Sequence, residues 1–205
     1  MTPSKVIVIS REAPCPAFER VVLGEGESLC LVMVVLPGVD AAIDLPVSLE
    51  GEGASLLLRG IYLCNGFQSV SLKTTVEHKA SGTTSRQLFN GICAGASKAA
   101  FDGLVKVEQD AQKIKALQEN HTLLLSDDAR AETRPQLEIY ADDVECSHGA
   151  TIGKLNEEEQ FYMRSRGIPE DEAKVLQMIS FLASALEGIE DEALRQEIEA
   201  AVRSL

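Results

Sequence analysis

No tryptophan occurs among the 205 residues, and aromatic side chains make up only 4% of them. An aliphatic-rich, aromatic-poor composition with 15 glycines suits a core of narrow, regularly stacked layers. Basic residues are the minority, 19 against 32 acidic, for a net charge of −13. That balance repels phosphate backbones and argues against nucleic acid as the main partner. No apolar run approaches the roughly 20 residues that cross a bilayer; the longest, Leu29 to Leu36, is far shorter. Met1 to Ser10 lacks the basic segment, apolar stretch and cleavage site of a secretory signal. Cys15, Cys30, Cys64, Cys93 and Cys146 form an odd set with no close pairing, which favours free thiols and a cytoplasmic setting.

Familiar catalytic loops are missing too. Gly24-Glu25-Gly26 and Gly51-Glu52-Gly53 lack the lysine and strand-to-helix context of a phosphate-binding loop and read as turns. There is no Gly-x-Ser-x-Gly elbow and no His-Glu-x-x-His helix.

Two regions are present. Residues 1–155 carry short apolar runs separated by Gly, Pro, Ser, Asp and Asn, and residues 156–205 turn helical. In the first region Val70, Leu72, Thr74 and Val76 alternate with Ser71, Lys73 and Thr75, the period-two signature of a strand. Leu137, Ile139 and Ala141 repeat the pattern. Runs beginning at Leu29, Ile43, Leu56, Val70, Leu88, Leu104, Leu123 and Leu137 follow one another at 13 to 19 residues. Sandwich strands recur at about 8–12 residues. The longer step, without intervening helices, predicts a flattened β-solenoid with two strands per coil.

The C-terminal region starts at Asn156, placed to cap a helix whose first turn is Glu157-Glu158-Glu159, with Glu159 at the reciprocal capping-box position. Phe161, Tyr162 and Met163 carry its apolar surface, Arg164 and Arg166 lie at its negative end, and Gly167 is placed to stop it. A second helix starts at Pro169 and runs to Gly188, with Ala173, Leu176, Ile179 or Ser180, Ala183, and Leu186 or Glu187 along one face. Ile189 to Leu205 reads as a third, with Leu194, Ile198 and Val202 in a stripe. The acidic residues of this region fit solvated helix faces, or a surface that docks a basic partner.

Cys146 and His148 form the one pair with chemical promise. In an extended chain they point to the same face and can address one metal of soft or borderline character. Two ligands do not complete a site, so the remainder must come from another coil, another chain or water. A structural thiol beside a partly exposed histidine explains the same spacing. A Cys–His nucleophilic pair fits less well, because parallel side chains do not face each other. His78 and His121 read as surface or satisfied structural residues, Cys30, Cys64 and Cys93 as core, and Cys15 as an exposed loop thiol.

Pro135 to Val144, then Cys146-Ser147-His148-Gly149-Ala150-Thr151, then Phe161-Tyr162-Met163-Arg164-Ser165-Arg166-Gly167-Ile168, closely resemble the C-terminal signature of the SufB/SufD family. The Cys-Ser-His form is more similar to SufD than to SufB. His78, Phe101-Asp102-Gly103 and Leu123-Leu124-Leu125-Ser126 match weaker family elements in the same order. The resemblance spans about residues 75 to 187. It implies a mainly β fold, a right-handed parallel β-helix over 1–155 followed by an α-helical segment over 156–205 that docks an ABC-type ATPase, SufC. It further implies a non-enzymatic scaffold for a transient Fe–S cluster, paired through its β-helix with a SufB-like chain or with itself as a dimer. His148 corresponds to a cluster ligand, with Cys146 second, and Phe161, Tyr162, Arg164 and Arg166 fall in the docking region. Family members carry an N-terminal helical segment and a longer β-helix, and neither is visible here. Two other readings remain: an assembly module of the same fold that binds no cluster, and a carbohydrate-active β-helix enzyme. The second would need an acid cluster on one wall, and the acidic pairs Asp127-Asp128 and Asp142-Asp143 read as turns.

Overall fold

The computed structural model describes residues 5–205. Eleven strands wind into a parallel β-solenoid: β1 (Lys5–Ile9), β2 (Val21–Leu23), β3 (Ser28–Val35), β4 (Ala41–Leu49), β5 (Ser55–Cys64), β6 (Ser69–His78), β7 (Thr84–Cys93), β8 (Lys98–Val107), β9 (Ile114–Leu124), β10 (Arg130–Ile139) and β11 (Val144–Gly153). Odd strands form one six-stranded sheet, β1-β3-β5-β7-β9-β11, and even strands a five-stranded one, β10-β8-β6-β4-β2. Every pairing is parallel, so each coil contributes one strand to each wall.

The two walls differ in sequence because they differ in burial. On the even wall, β6 and β8 alternate strictly between buried and accessible positions, one face in and one face out. On the odd wall, β3 and β5 are buried almost continuously, because helices cover their outer side. The run from Leu29 to Leu36 is therefore apolar on both faces. Leu31, Met33 and Val35 enter the solenoid core, whereas Val32, Val34 and Leu36 join a second core with the helices.

Two columns of turns connect the walls. In one, Gly26, Gly53 and Gly82 adopt positive φ angles of 63°, 68° and 69°. Each donates its N–H to the next coil, at Glu52, Ser81 and Gln112. Lys113 occupies the same place in the coil above, donating to Asp143 with φ 57°. A β-carbon there is strained where glycine is not.

Three helices follow: α1 (Glu157–Ser165), α2 (Glu170–Leu182) and α3 (Glu192–Arg203). Asn156 caps α1 by accepting from the N–H groups of Glu158 and Glu159 at 2.9 and 3.3 Å. Glu159 does not complete the expected box; its carboxylate accepts instead from the side chains of Asn156 and Gln177, at 3.3 and 2.8 Å. Gly167 stops the helix at φ 88°. The buried face of α2 is Ala173, Val175, Met178 and Leu182, not the row through Leu176, which is 40% exposed. α2 also ends at Leu182, well before Gly188, because residues 183–188 turn the chain back over the odd wall. The stripe Leu194, Ile198 and Val202 of α3 is buried as the spacing predicts. Burying such side chains stabilises the docked helices by about 1.5–3 kcal/mol each.

Polar contacts fix this cover in place. Arg59, only 8% exposed, donates to the Glu187 carbonyl at 2.5 Å and to its carboxylate at 3.0 Å. Asn90 donates to the Phe181 carbonyl at 2.5 Å. A buried guanidinium without that carboxylate would cost several kcal/mol. None of the described helices is long and apolar enough to cross a membrane.

Several sequence expectations shift. β7 begins at Thr84 and β9 at Ile114, earlier than the leucines suggested, and β1, β2 and β11 add strands that the spacing did not count. Strand starts from β3 onward are more even than the sequence spacing implied, 13 to 16 residues apart. Cys15 is half-buried rather than exposed, packed against the solenoid core. Burial raises its thiol pKa.

Candidate functional site

The segment 144–153 is a full strand, β11. It pairs with β9 in the register Cys146↔Ala116 and His148↔Gln118. Ala116 and Gln118 are buried inside the solenoid, so Cys146 and His148 also stand on the inner face. The expectation of a shared face holds. Its setting is new: no further coil closes over β10 and β11 among the described residues. The inner positions of this last coil are therefore partly open, with Cys146 half-buried and His148 exposed.

Their chemistry differs accordingly. Cys146 packs with Val144 and Leu137 against the small core of Val105, Val107, Ala111, Ile114, Ala116 and Ala141. Burial raises its pKa, partly offset by a hydrogen bond with the Ala116 backbone. Such a thiol binds metal only after losing a proton that its surroundings hold. His148 is open to solvent, and a histidine ligates a metal through a ring-nitrogen lone pair. Among the described residues no three His, Cys, Asp or Glu side chains converge as a metal site, so this pair alone is incomplete.

The other histidines are placed apart from it. His78 is fully buried, with Nδ1 2.8 Å from the Thr83 hydroxyl and Nε2 2.8 Å from the Ser85 hydroxyl. Thr83 donates its proton to the Ala80 carbonyl at 3.1 Å. It must therefore accept from His78, so Nδ1 carries the hydrogen and Nε2 accepts from Ser85. Desolvation lowers the His78 pKa to about 4. His121 lies on the outer face of β9, 2.8 Å from the Thr151 hydroxyl.

Phe161, Tyr162, Arg164 and Arg166 belong to α1 or its cap, of which no residue is buried. Phe161 is 72% and Tyr162 60% exposed. The Arg166 guanidinium lies 5.4 Å from the Tyr162 ring centre, and Arg164 is 3.5 Å from Glu170. Tyr162, Met163, Leu176 and Phe181 line an open groove of about 780 Å³ between α1 and α2. Phe161 and Tyr162 are thus large apolar side chains left at the surface beside this groove. Only residues 154–156 separate α1 from β11, the strand of Cys146 and His148.

Comparison with known proteins places these features. The family model for the SUF system FeS cluster assembly, SufBD core domain, matches residues 17–181. The chain is 39% identical over 150 residues to the iron-sulfur cluster assembly protein SufD of Escherichia coli, covering 73% of this chain and 36% of that protein. It is 29% identical over 159 residues to the SufD of Bacillus subtilis, covering 78% and 36%. An iron-sulfur cluster assembly SufBD family protein of Mycobacterium leprae is 27% identical over 188 residues, covering 88% and 48%. The chain thus spans about a third to a half of the length of these relatives.

Proposed function

The chain belongs to the SufBD family of SUF-system iron–sulfur cluster assembly proteins, and on that premise we propose that it is a scaffold component that holds a cluster in transit. The observation that carries this reading is the position of Cys146 and His148, side by side on the inner face of the uncovered last coil. A second β-helix stacked on that coil, SufB-like or another copy of this chain, would bring the missing ligands to the same place. His148 offers its lone pair first, and Cys146 joins once deprotonated. The cluster is cargo, and this chain contributes ligands and placement, not catalysis.

The exposed surface of α1 is the docking site for an ABC-type ATPase of the SufC kind. Phe161 and Tyr162 supply apolar area, while Arg164 and Arg166 supply charge. Hydrolysis belongs to the ATPase. When its subunits close, they pull on α1, and the link of residues 154–156 passes that pull to β11 and the joint above it.

Co-purification with the ATPase and anaerobic cluster reconstitution test the two halves. Phe161→Asp with Tyr162→Ala should abolish ATPase binding and leave cluster retention intact. His148→Ala should do the reverse, with Cys146→Ser producing a smaller loss. Unchanged cluster yield in the His148/Cys146 double variant would refute the ligand assignment. That result would favour a pure assembly module.

A further inference from the structure

One layer of the solenoid interior is polar where an apolar core is expected. Along the odd wall the register runs Leu58↔Gln87↔Gln118↔His148, and along the even wall Leu45↔Thr74↔Gly103↔Pro135. At the base Leu45 and Leu58 are fully buried and apolar. One coil up, the Thr74 hydroxyl donates to Gln87 Oε1 at 2.8 Å across the interior. In the next coil Gly103 faces Gln118, and a β-carbon at Gly103 would lie 2.5 Å from Gln118 Nε2. Glycine there is what lets the Gln118 amide reach across.

That amide is out of balance with its surroundings. Gln118 is 0% exposed, and both its Nε2 and Oε1 lack any hydrogen-bond partner. Leaving a buried polar atom unpaired is costly, so a side chain carrying two such atoms needs a reason. The next rung of the same ladder is His148, on the same inner face. The residue facing His148 is Pro135, which has no N–H to offer. Gln118 is thus the polar group placed behind the imidazole.

We propose that Gln118 is a positioning residue for His148: its Oε1 accepts one ring N–H, fixing the tautomer that leaves the other nitrogen free to face a metal. Ligating histidines generally owe their orientation to such an outer partner. The ring is exposed in the isolated chain and makes this bond by turning into the coil. The polar column ends where the open coil begins, which puts Gln118 one rung below His148. This inference rests on His148 being a ligand.

Cobalt(II) titration of the full chain, followed by absorbance, together with His148 ring-nitrogen NMR shifts, tests it. Gln118→Leu removes only unpaired atoms, so it should fold at least as stably as the parent. It should nevertheless bind cobalt at least about 10-fold more weakly and shift the His148 tautomer balance. Gln118→Glu, which keeps an acceptor, should restore binding. If His148→Ala weakens cobalt binding while Gln118→Leu changes neither affinity nor ring shifts, the positioning role is refuted and the ligand reading stands. If His148→Ala itself leaves binding unchanged, the ligand reading falls and this inference falls with it.

Discussion

The ring of Tyr62 occupies the space that a side chain at position 91 would need. A β-carbon on Gly91 would sit 1.7 Å from Tyr62 Cε2. The two residues are register partners on β5 and β7, and the Tyr62 hydroxyl lies 2.6 Å from the Thr122 hydroxyl and accepts from Asn120 at 3.1 Å. The ring is therefore held at its hydroxyl end. Gly91→Ala should destabilise the fold by about 1–3 kcal/mol, the usual cost of overpacking a core. Urea denaturation measures it, and an unchanged midpoint would mean that Tyr62 is not fixed there.

His78 predicts an acid-sensitive fold. Its pKa falls to about 4 in the folded chain, from an ordinary 6.5, because burial disfavours the imidazolium. Between those values the unfolded chain binds more protons, so stability rises with pH across the window. The contribution is complete above pH 6.5 and is lost as the pH falls through 6.5 toward 4. A shift of that size is linked to roughly 3 kcal/mol. His78→Gln should flatten the pH dependence of the denaturation midpoint within this window, whatever it does to absolute stability. Parallel curves for the two proteins would contradict the buried neutral state.

Lys113 stands in a column otherwise made of glycine. Lys113→Gly should stabilise the chain by up to about 1 kcal/mol, the left-handed strain relieved being partly offset by the greater freedom of an unfolded glycine. Calorimetric melting would show a raised Tm. A lowered one would mean that the lysine side chain contributes more than the strain it imposes.

The thiols should divide into two classes. Cys30, Cys64 and Cys93 are buried, and Cys64 is pushed up by its hydrogen bond with Cys93 and by burial. They should react with a thiol reagent only on unfolding. Cys15 and Cys146 are half-buried with raised pKa values, so both should react in the native chain, more slowly than free cysteine. Rapid modification of three or more thiols in the native state would contradict the packing of the solenoid core.

The sequence reveals strands most clearly where one face is wet. β6 alternates in sequence as it alternates in burial, and the cap at Asn156, the stop at Gly167 and the α3 stripe all follow from local chemistry. Legibility fails where polar residues point inward. The apolar run in β9 starts only at Leu123, because Gln118, Asn120 and Thr122 break the pattern although all three are buried. Ser85 and Gln87 hide the start of β7 in the same way. On α2, helical spacing alone could not choose between the row of Leu176 and that of Val175 and Met178, because the choice depends on where the odd wall lies. Period-two spacing put Cys146 and His148 on one face. That the face is inward, open and backed by Gln118 depends on the stacking of coils, which no local pattern encodes.

β10 and β11 are the terminal strands of their sheets, and each leaves a row of backbone donors and acceptors unpaired at the same end of the molecule. Such an end will template any strand that reaches it, including that of an identical neighbour. The consequence is that association of this chain with a further strand has this end to start from.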